Sequence, residues 1–422
     1  MKIISGGVCA PRGFLAGGIR CGIKASAAAQ QAAAQQAVAQ KKDLALIYSN
    51  NVCAAAAMFT RNKVKAASVV LSQENIKNGK LRTVIINSGN ANACTGSAGM
   101  EAARRMTEAA AGVLSIDPND VAVASTGVIG VPLPIEKIEK NISALKASLR
   151  GDETGHADAL EAIMTTDTRK KEIAVEIEID GKRARVGAMT KGSGMIHPDM
   201  ATMLCFITTD AAINAAALDI ALSRAVKKSF NRLTVDGDTS TNDMVLIMAN
   251  GEAGNEVIAE HGTNENNFNI FYNALEYICV ELTKMMARDG EGATKLVTVT
   301  VRGSESEDAA AALAKSVASS SLVKAACFGA DANWGRVLCA MGYSGVAFTP
   351  EKTDVSFKSD KGEIEVCRNG MPVTFSEEKA KEILLQEEIE ILINLNEGKN
   401  SASVWGCDLT YDYIKINGDY RS

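Results

Sequence analysis

Histidine is the scarcest chemically useful residue in this chain of 422 residues. There are three: His156, His197 and His261. A Ser-His-Asp triad or a histidine metal site therefore has almost no material. If the chain does nucleophilic chemistry, its base is expected not to be histidine. His156 lies in a polar, helix-forming stretch and His261 in an Asn-rich run, and both read as surface residues. Aromatic residues are also few, at 5%, and no Lys/Arg cluster offsets the net charge of −5. Both facts argue against a nucleic-acid partner. No apolar run is long enough to span a bilayer. The first seven residues lack the charged-then-apolar layout of a signal peptide. No CxxC pair occurs among the ten cysteines. They read as reduced thiols filling small core positions in a cytoplasmic protein, and neither a structural zinc site nor another metal is expected.

What is present is ordinary globular material, 46% apolar and 23% charged, in a chain long enough for two or three cores. Strands are expected at 43–48, 83–86, 121–124, 203–208, 244–248, 295–302 and 388–394. Residues 173–179 and 182–189 alternate on either side of Asp180-Gly181, which marks a hairpin. Helices are expected at 101–114, 211–230, 268–286 and 309–326. Ser376 reads as the cap of a further short helix. Residues 354–373 read as β segments turning at Arg368-Asn369-Gly370. Residues 25–40, almost all Ala and Gln, read as an exposed insertion. Mixed helices and hairpins argue for an α/β or α+β arrangement of layered sheets and helices, not a purely parallel doubly wound sheet.

The richest segment runs from Lys191 to Leu204. A glycine-rich loop with Pro198 leads into Ala201-Thr202 and then an apolar strand. A threonine hydroxyl is a poor nucleophile without a base in reach. Cleavage of the Ala201–Thr202 bond would give Thr202 a free α-amine, with a reference pKa of about 7.7–8.0. That amine can take the hydroxyl proton, and the scarcity of histidine then makes sense. The cut itself would need Thr202 Oγ to attack the Ala201 carbonyl, leaving an ester that water opens. An ordinary loop entering a buried strand is the plain alternative.

Other segments carry two readings each. Ser125-Thr126-Gly127 ends a strand in small residues that can aim donors at an oxyanion, or it is a simple strand-to-turn transition. The Asn-rich run 87–96 lines a polar cleft or forms a turn. Glu291, between Gly290 and Gly292, holds an ammonium group or is a solvated loop acid. Residues 408–422 alternate and are rich in tyrosine, so this end is expected to dock. Asn417 and Ser422 then reach a site, or the segment is strand packing alone.

Taken in series, residues 87–96, 125–130, 164–168, 191–204, 288–295 and 415–422 closely resemble the ornithine acetyltransferase family, the glutamate N-acetyltransferases of arginine biosynthesis. The resemblance covers almost the whole chain. It implies a layered fold shared with aminopeptidase relatives and N-terminal-nucleophile chemistry. It also implies self-cleavage into an α chain, 1–201, and a β chain, 202–422, assembled as α2β2. By the same resemblance Thr202 is the nucleophile, and Thr126 and Gly127 form the oxyanion hole. Substrate contacts fall to Thr165, Lys191, Thr202, Glu291, Asn417 and Ser422. The implied reaction moves acetyl from N2-acetylornithine to glutamate by a ping-pong route without cofactor or metal. Some members also accept acetyl-CoA. The Ala/Gln stretch looks longer than the family usually has. The alternatives are a related aminopeptidase or amidohydrolase, which passes the acyl group to water, and a binding protein that keeps only the fold.

Overall fold

The computed structural model describes residues 1–24, 41–197, 203–259 and 265–419. The first part of the chain forms β1 (Lys2–Ile4), β2 (Phe14–Ile19), β3 (Leu44–Phe59), α1 (Ala67–Asn75), β4 (Lys80–Asn90), α2 (Gly96–Leu114), β5 (Val121–Val128), α3 (Ile135–Ala147) and α4 (Glu153–Ile163). It continues with β6 (Lys171–Ile179), β7 (Lys182–Lys191), β8 (Leu204–Thr209), α5 (Ala215–Lys228), β9 (Met244–Ala249) and α6 (Glu265–Arg288). These strands join in the order β1-β6-β7-β8-β9-β3-β4-β5, with β2 also paired to β3. The β4–β5 and β8–β9 pairs are parallel, and the hairpins are antiparallel, so the sheet is mixed as the sequence implied.

Strand alternation explains the layering. Leu44, Leu46, Ile85, Val121 and Val123 face α2 and α3 in one core. Their neighbours Ala45, Ile47, Val84, Ile86, Ala122 and Ala124 point the other way. They share a second core with Leu204, Phe206, Leu246 and Met248. The alternate residues Cys205, Ile207, Val245 and Ile247 face α5 and α6 in a third core. The long strand β3, irregular between Tyr48 and Cys53, carries the sheet from one layer to the other. The result is helices, sheet, sheet, helices.

The rest of the chain forms β10 (Leu296–Ser304), α7 (Glu307–Ser319), α8 (Ser321–Phe328), α9 (Trp334–Gly342), β11 (Asp354–Ser359), β12 (Gly362–Arg368), β13 (Met371–Pro372), α10 (Glu377–Leu384), β14 (Glu388–Asn394), β15 (Asn400–Cys407) and α11 (Tyr411–Asp419). Its sheet runs β13-β12-β11-β14-β10-β15. One face, with Val299, Val301, Phe357 and Ile391, packs into a core with α7 to α10. Residue 201 does not separate two sheets. Strands β7 and β8, on either side of it, pair from Lys191↔Leu204 to Val186↔Thr209.

Several expectations need correction. The single helix expected at 309–326 is two. Ser320 is extended, at φ −67° and ψ 115°, and its hydroxyl caps Val323 N–H. Residues 411–419 are helical, not strand-like, because Asp408 turns the chain by accepting from Thr294 N and Lys295 N at 2.8 and 3.0 Å. His156 is not at the surface but 2% exposed. Its Nδ1 accepts from Val8 N at 3.3 Å and its Nε2 contacts the Glu172 carboxylate. The ring fills the space above Gly7, where a Cβ would lie 2.1 Å from it. His261 and the 25–40 insertion lie outside the described residues. The Asp180-Gly181 turn has φ of 51° and 70°, the left-handed pair that a two-residue hairpin needs. Ser376 caps α10 through Lys379 N–H. Seven of the ten free thiols are buried.

Candidate active site

The ends of both layers meet at one cleft. Thr126 and Gly127 come from β5, Lys191 from the end of β7, and Thr165 from the loop after α4. Glu291 lies in the turn after α6, and Asn417 on α11. All six line the cleft. Ala201, Thr202 and Ser422 lie outside the described residues. Met203, which follows Thr202, lines the cleft and is 3% exposed.

The β5 edge is shaped by a close approach. Parallel pairing of β4 with β5 becomes irregular where Gly89 and Asn90 oppose Thr126, Gly127 and Val128. Gly127 has φ 133°, and a Cβ there would lie 2.3 Å from Gly89 C and 2.4 Å from Asn90 N. Only glycine fits. Lys191 Nζ donates to Thr126 Oγ1 at 3.2 Å. The Asn-rich run ends β4 and leads into α2, with its asparagine side chains tied to neighbouring groups. Asn87 Oδ1 accepts from Ser125 Oγ at 2.7 Å, Asn90 Nδ2 donates to Val131 O at 3.0 Å, and Asn92 Nδ2 donates to Gly99 O at 2.9 Å. From this run it is Ala91 that lines the cleft.

A buried charge network holds the floor. Asp167 is 5% exposed and Lys171 1% exposed. Asp167 Oδ1 accepts from Gly192 N at 2.7 Å and from Lys171 Nζ at 2.6 Å, while its Oδ2 accepts from Thr165 N at 3.0 Å. Lys171 Nζ also contacts Asp289, which accepts from Thr168 N at 3.1 Å and Arg169 N at 3.2 Å. The loops of Thr165, Lys191 and Glu291 are thereby tied to one another. Burial pushes the Asp167 carboxyl up, but the Lys171 and Lys191 cations outweigh it and hold it well below the usual carboxylate range. Burial lowers the Lys191 ammonium, and Asp167 partly restores it.

Glu291 is anchored from both directions. Its N–H donates to Ser193 O at 2.9 Å, and its Oε2 accepts from Asn417 Nδ2 at 2.9 Å. Gly194 lies against the carboxylate, where a Cβ would sit 2.3 Å from Oε2. The adjacent Gly292 has φ 69°. Ser193 Oγ in turn pairs with Thr166 Oγ1 at 2.7 Å. Asn242 stitches the rim, with Nδ2 donating to Ala91 O at 2.6 Å and Ser125 O at 2.8 Å.

Asp167, Lys171, Asp289 and Asn242 were not singled out in the sequence. Only the spacing of Asp167 and Lys171, four residues apart, hinted at a pair. Asp289, the network's other carboxylate, is 118 residues beyond Lys171. Among the described residues no group of three or more His, Cys, Asp or Glu gathers to hold a metal ion. No helix among them is long and apolar enough to cross a membrane.

Stacked mixed sheets between helices, with hydroxyl, ammonium and carboxylate groups converging on one cleft, define a layered α/β enzyme fold with a polar site. The sequence pattern of the ArgJ family matches residues 26–422, and the chain belongs to that family. A curated relative from Caldanaerobacter subterraneus subsp. tengcongensis, named arginine biosynthesis bifunctional protein ArgJ, is 49% identical over the full length of both chains. The relative of the same name from Bacillus subtilis (strain 168) is 46% identical over 420 residues, covering 99% of this chain and 97% of that one. The crystal structure of the Bacillus halodurans protein argJ is 46% identical, with a TM-score of 0.47, covering 50% of this chain and 97% of that one. Ornithine acetyltransferase from Mycobacterium tuberculosis, complexed with ornithine, is 39% identical, with a TM-score of 0.42 and coverage of 47% and 99%.

Proposed function

We propose that this chain moves the acetyl group of N2-acetylornithine to glutamate through an acetyl ester on Thr202, giving ornithine and N-acetylglutamate. The observation that carries this reading is the convergence of Thr126, Gly127, Thr165, Lys191, Glu291 and Asn417 on a cleft that Met203, the residue after Thr202, also lines.

The chemistry follows from the groups. Thr202 Oγ attacks the acetyl carbonyl while the Thr202 α-amine takes the hydroxyl proton. Thr126 and Gly127 stabilise the tetrahedral oxyanion. The C–N bond breaks, the proton passes to the departing amine of ornithine, and the acetyl ester remains. The glutamate amine attacks that ester in the reverse sequence and leaves as N-acetylglutamate. Lys191 and Ser422 meet the polar ends of the substrate, and Glu291 matches an ammonium group. An amide and an ester exchange one acyl group, so no cofactor, metal or ATP is consumed.

The α-amine requires maturation. Thr202 Oγ attacks the Ala201 carbonyl, the amide becomes an ester, and water opens it to leave chains 1–201 and 202–422. Because β7 and β8 pair across the cut, the chains stay together, and they assemble further as α2β2 in the cytoplasm. Acetyl-CoA is a second donor, a reading prompted by the word bifunctional in the names of the curated relatives.

Mass spectrometry of the purified protein is expected to show two chains divided at Ala201–Thr202. Thr202→Ala is expected to remain one chain and to lose transfer. An intact wild-type chain with full activity would sink the mechanism. Free acetate in place of acetylglutamate would assign a hydrolase instead.

A further inference from the structure

The segment from Thr234 to Met244 grips the chain on both sides of Ala201–Thr202. Upstream, Asp236 Oδ2 accepts from Met195 N at 2.6 Å and Oδ1 accepts from Ile196 N at 2.8 Å. Oδ1 also accepts from Asp238 N at 3.2 Å. Val235 N donates to Ile196 O at 2.6 Å, and Ile196 forms an antiparallel bridge with Thr239. Thr239 Oγ1 donates to His197 O at 2.8 Å, and His197 Nδ1 pairs with Thr234 Oγ1 at 3.0 Å. Downstream, Met244 N donates to Met203 O at 2.8 Å. From there β8 and β9 run in parallel register, starting at Leu204↔Met244.

Neither the oxyanion hole nor the substrate contacts account for this second set of bonds. Met195 has φ 54°, a left-handed conformation that a side-chain-bearing residue adopts only at a steric cost. The two successive N–H groups that converge on the Asp236 carboxylate offset that cost and fix the direction in which the chain leaves toward His197. A carboxylate accepting several backbone N–H bonds is a strong anchor because the acceptor is ionised.

We propose that Asp236, supported by Thr239, is a positioning residue for self-cleavage. It ties the chain upstream of the cut to the same segment that holds Met203 downstream. Five residues then join two points fixed to one frame. Ordering both ends beforehand removes entropy that the attack of Thr202 Oγ on the Ala201 carbonyl would otherwise have to overcome. In this role Asp236 acts through the backbone of Met195 and Ile196. The inference rests on the Thr202 maturation proposed above.

The test follows the full-length protein from synthesis, measuring conversion of one chain to two by mass spectrometry at fixed times. Asp236→Ala is expected to slow conversion about 10- to 100-fold. Asp236→Asn keeps one carbonyl oxygen and is expected to fall between Asp236→Ala and wild type. Thr239→Val, which keeps shape and loses only the bond to His197 O, is expected to slow conversion less than Asp236→Ala. Once cleaved, each variant is expected to recover wild-type kcat, which a general loss of fold would not allow. Asp236→Ala and Thr239→Val converting at the wild-type rate would overturn the assignment. So would slow conversion that merely tracks a lowered thermal midpoint. An uncut wild type would instead overturn the Thr202 reading, and the role of Asp236 with it.

Discussion

Lys191 Nζ donates to Thr126 Oγ1 across the two stacked sheet layers, at 3.2 Å between the end of β7 and the end of β5. The bond sets the orientation of a hydroxyl assigned to the oxyanion hole, so the two side chains act as a unit. Lys191→Met and Thr126→Val are each expected to lower kcat for acetyl transfer about 10²–10³-fold, the usual loss for one oxyanion donor. The double variant is expected to lose far less than the product of the two. Steady-state kinetics on all four proteins checks this, and strictly multiplicative losses would show that the two side chains work independently.

Glu291 is held toward the cleft by Asn417. Glu291→Gln keeps the shape and the bond but removes the charge. The Michaelis constant for acetylornithine is expected to rise about tenfold, equivalent to about 1.4 kcal/mol of lost charge pairing. An unchanged constant would remove Glu291 from the substrate contacts.

Gly194 leaves no room for a side chain, because Glu291 Oε2 would lie 2.3 Å from its Cβ. Gly194→Ala alone is expected to displace the carboxylate and weaken substrate binding. In a Glu291→Ala background the same change meets no carboxylate and is expected to add little. Comparing the two increments by a double-mutant cycle isolates the clash.

Asp167 makes stability depend on pH. Its folded pKa lies below its unfolded value because the Lys171 and Lys191 cations outweigh burial. A carboxyl depressed in this way stabilises the fold above its unfolded pKa of about 3.9, and that contribution is lost as pH falls through the lower folded value. Asp167→Asn is expected to flatten stability against pH in that acid range. It is also expected to cost about 3–5 kcal/mol at neutral pH, because Lys171 loses one of its two buried partners. Denaturant unfolding from pH 2 to 7 measures both.

Lys191 gives a second pH signature. Burial lowers its pKa below the ordinary lysine value, so it loses its proton at a lower pH than an exposed lysine would. Binding that needs its charge is expected to fall on the alkaline side before the usual lysine range, where an exposed lysine titrates near 10.4. A profile of kcat/KM against pH from 7 to 11 reads that limb. A limb at the exposed-lysine position would show that the substrate does not depend on this buried ammonium.

Much of the layering was legible because it follows from local pattern. The alternation of Ile173 to Met189 about Asp180-Gly181 predicts the β6–β7 hairpin without any distant contact. The small residues Ser125, Thr126 and Gly127 marked the end of β5, and Gly290-Glu291-Gly292 marked a turn. The burial of His156 was not legible, because its polar sequence neighbours gave no sign of the Gly7 surface it packs on. Nor was the helix at 411–419, whose entry depends on Asp408 accepting N–H groups from residues 294 and 295.

By itself the sequence determined which residue types can do chemistry here: almost no histidine, one threonine placed after a glycine-rich loop, and a Thr-Gly pair at a strand end. Those are local facts of composition and spacing. The tertiary structure alone decided that Asp167, Lys171 and Asp289 form one buried network and that Lys191 reaches Thr126. Buried charges are stable only where partners close around them, and the fold brings Asp289 to Lys171 and Thr126 to Lys191 from many residues away in the chain.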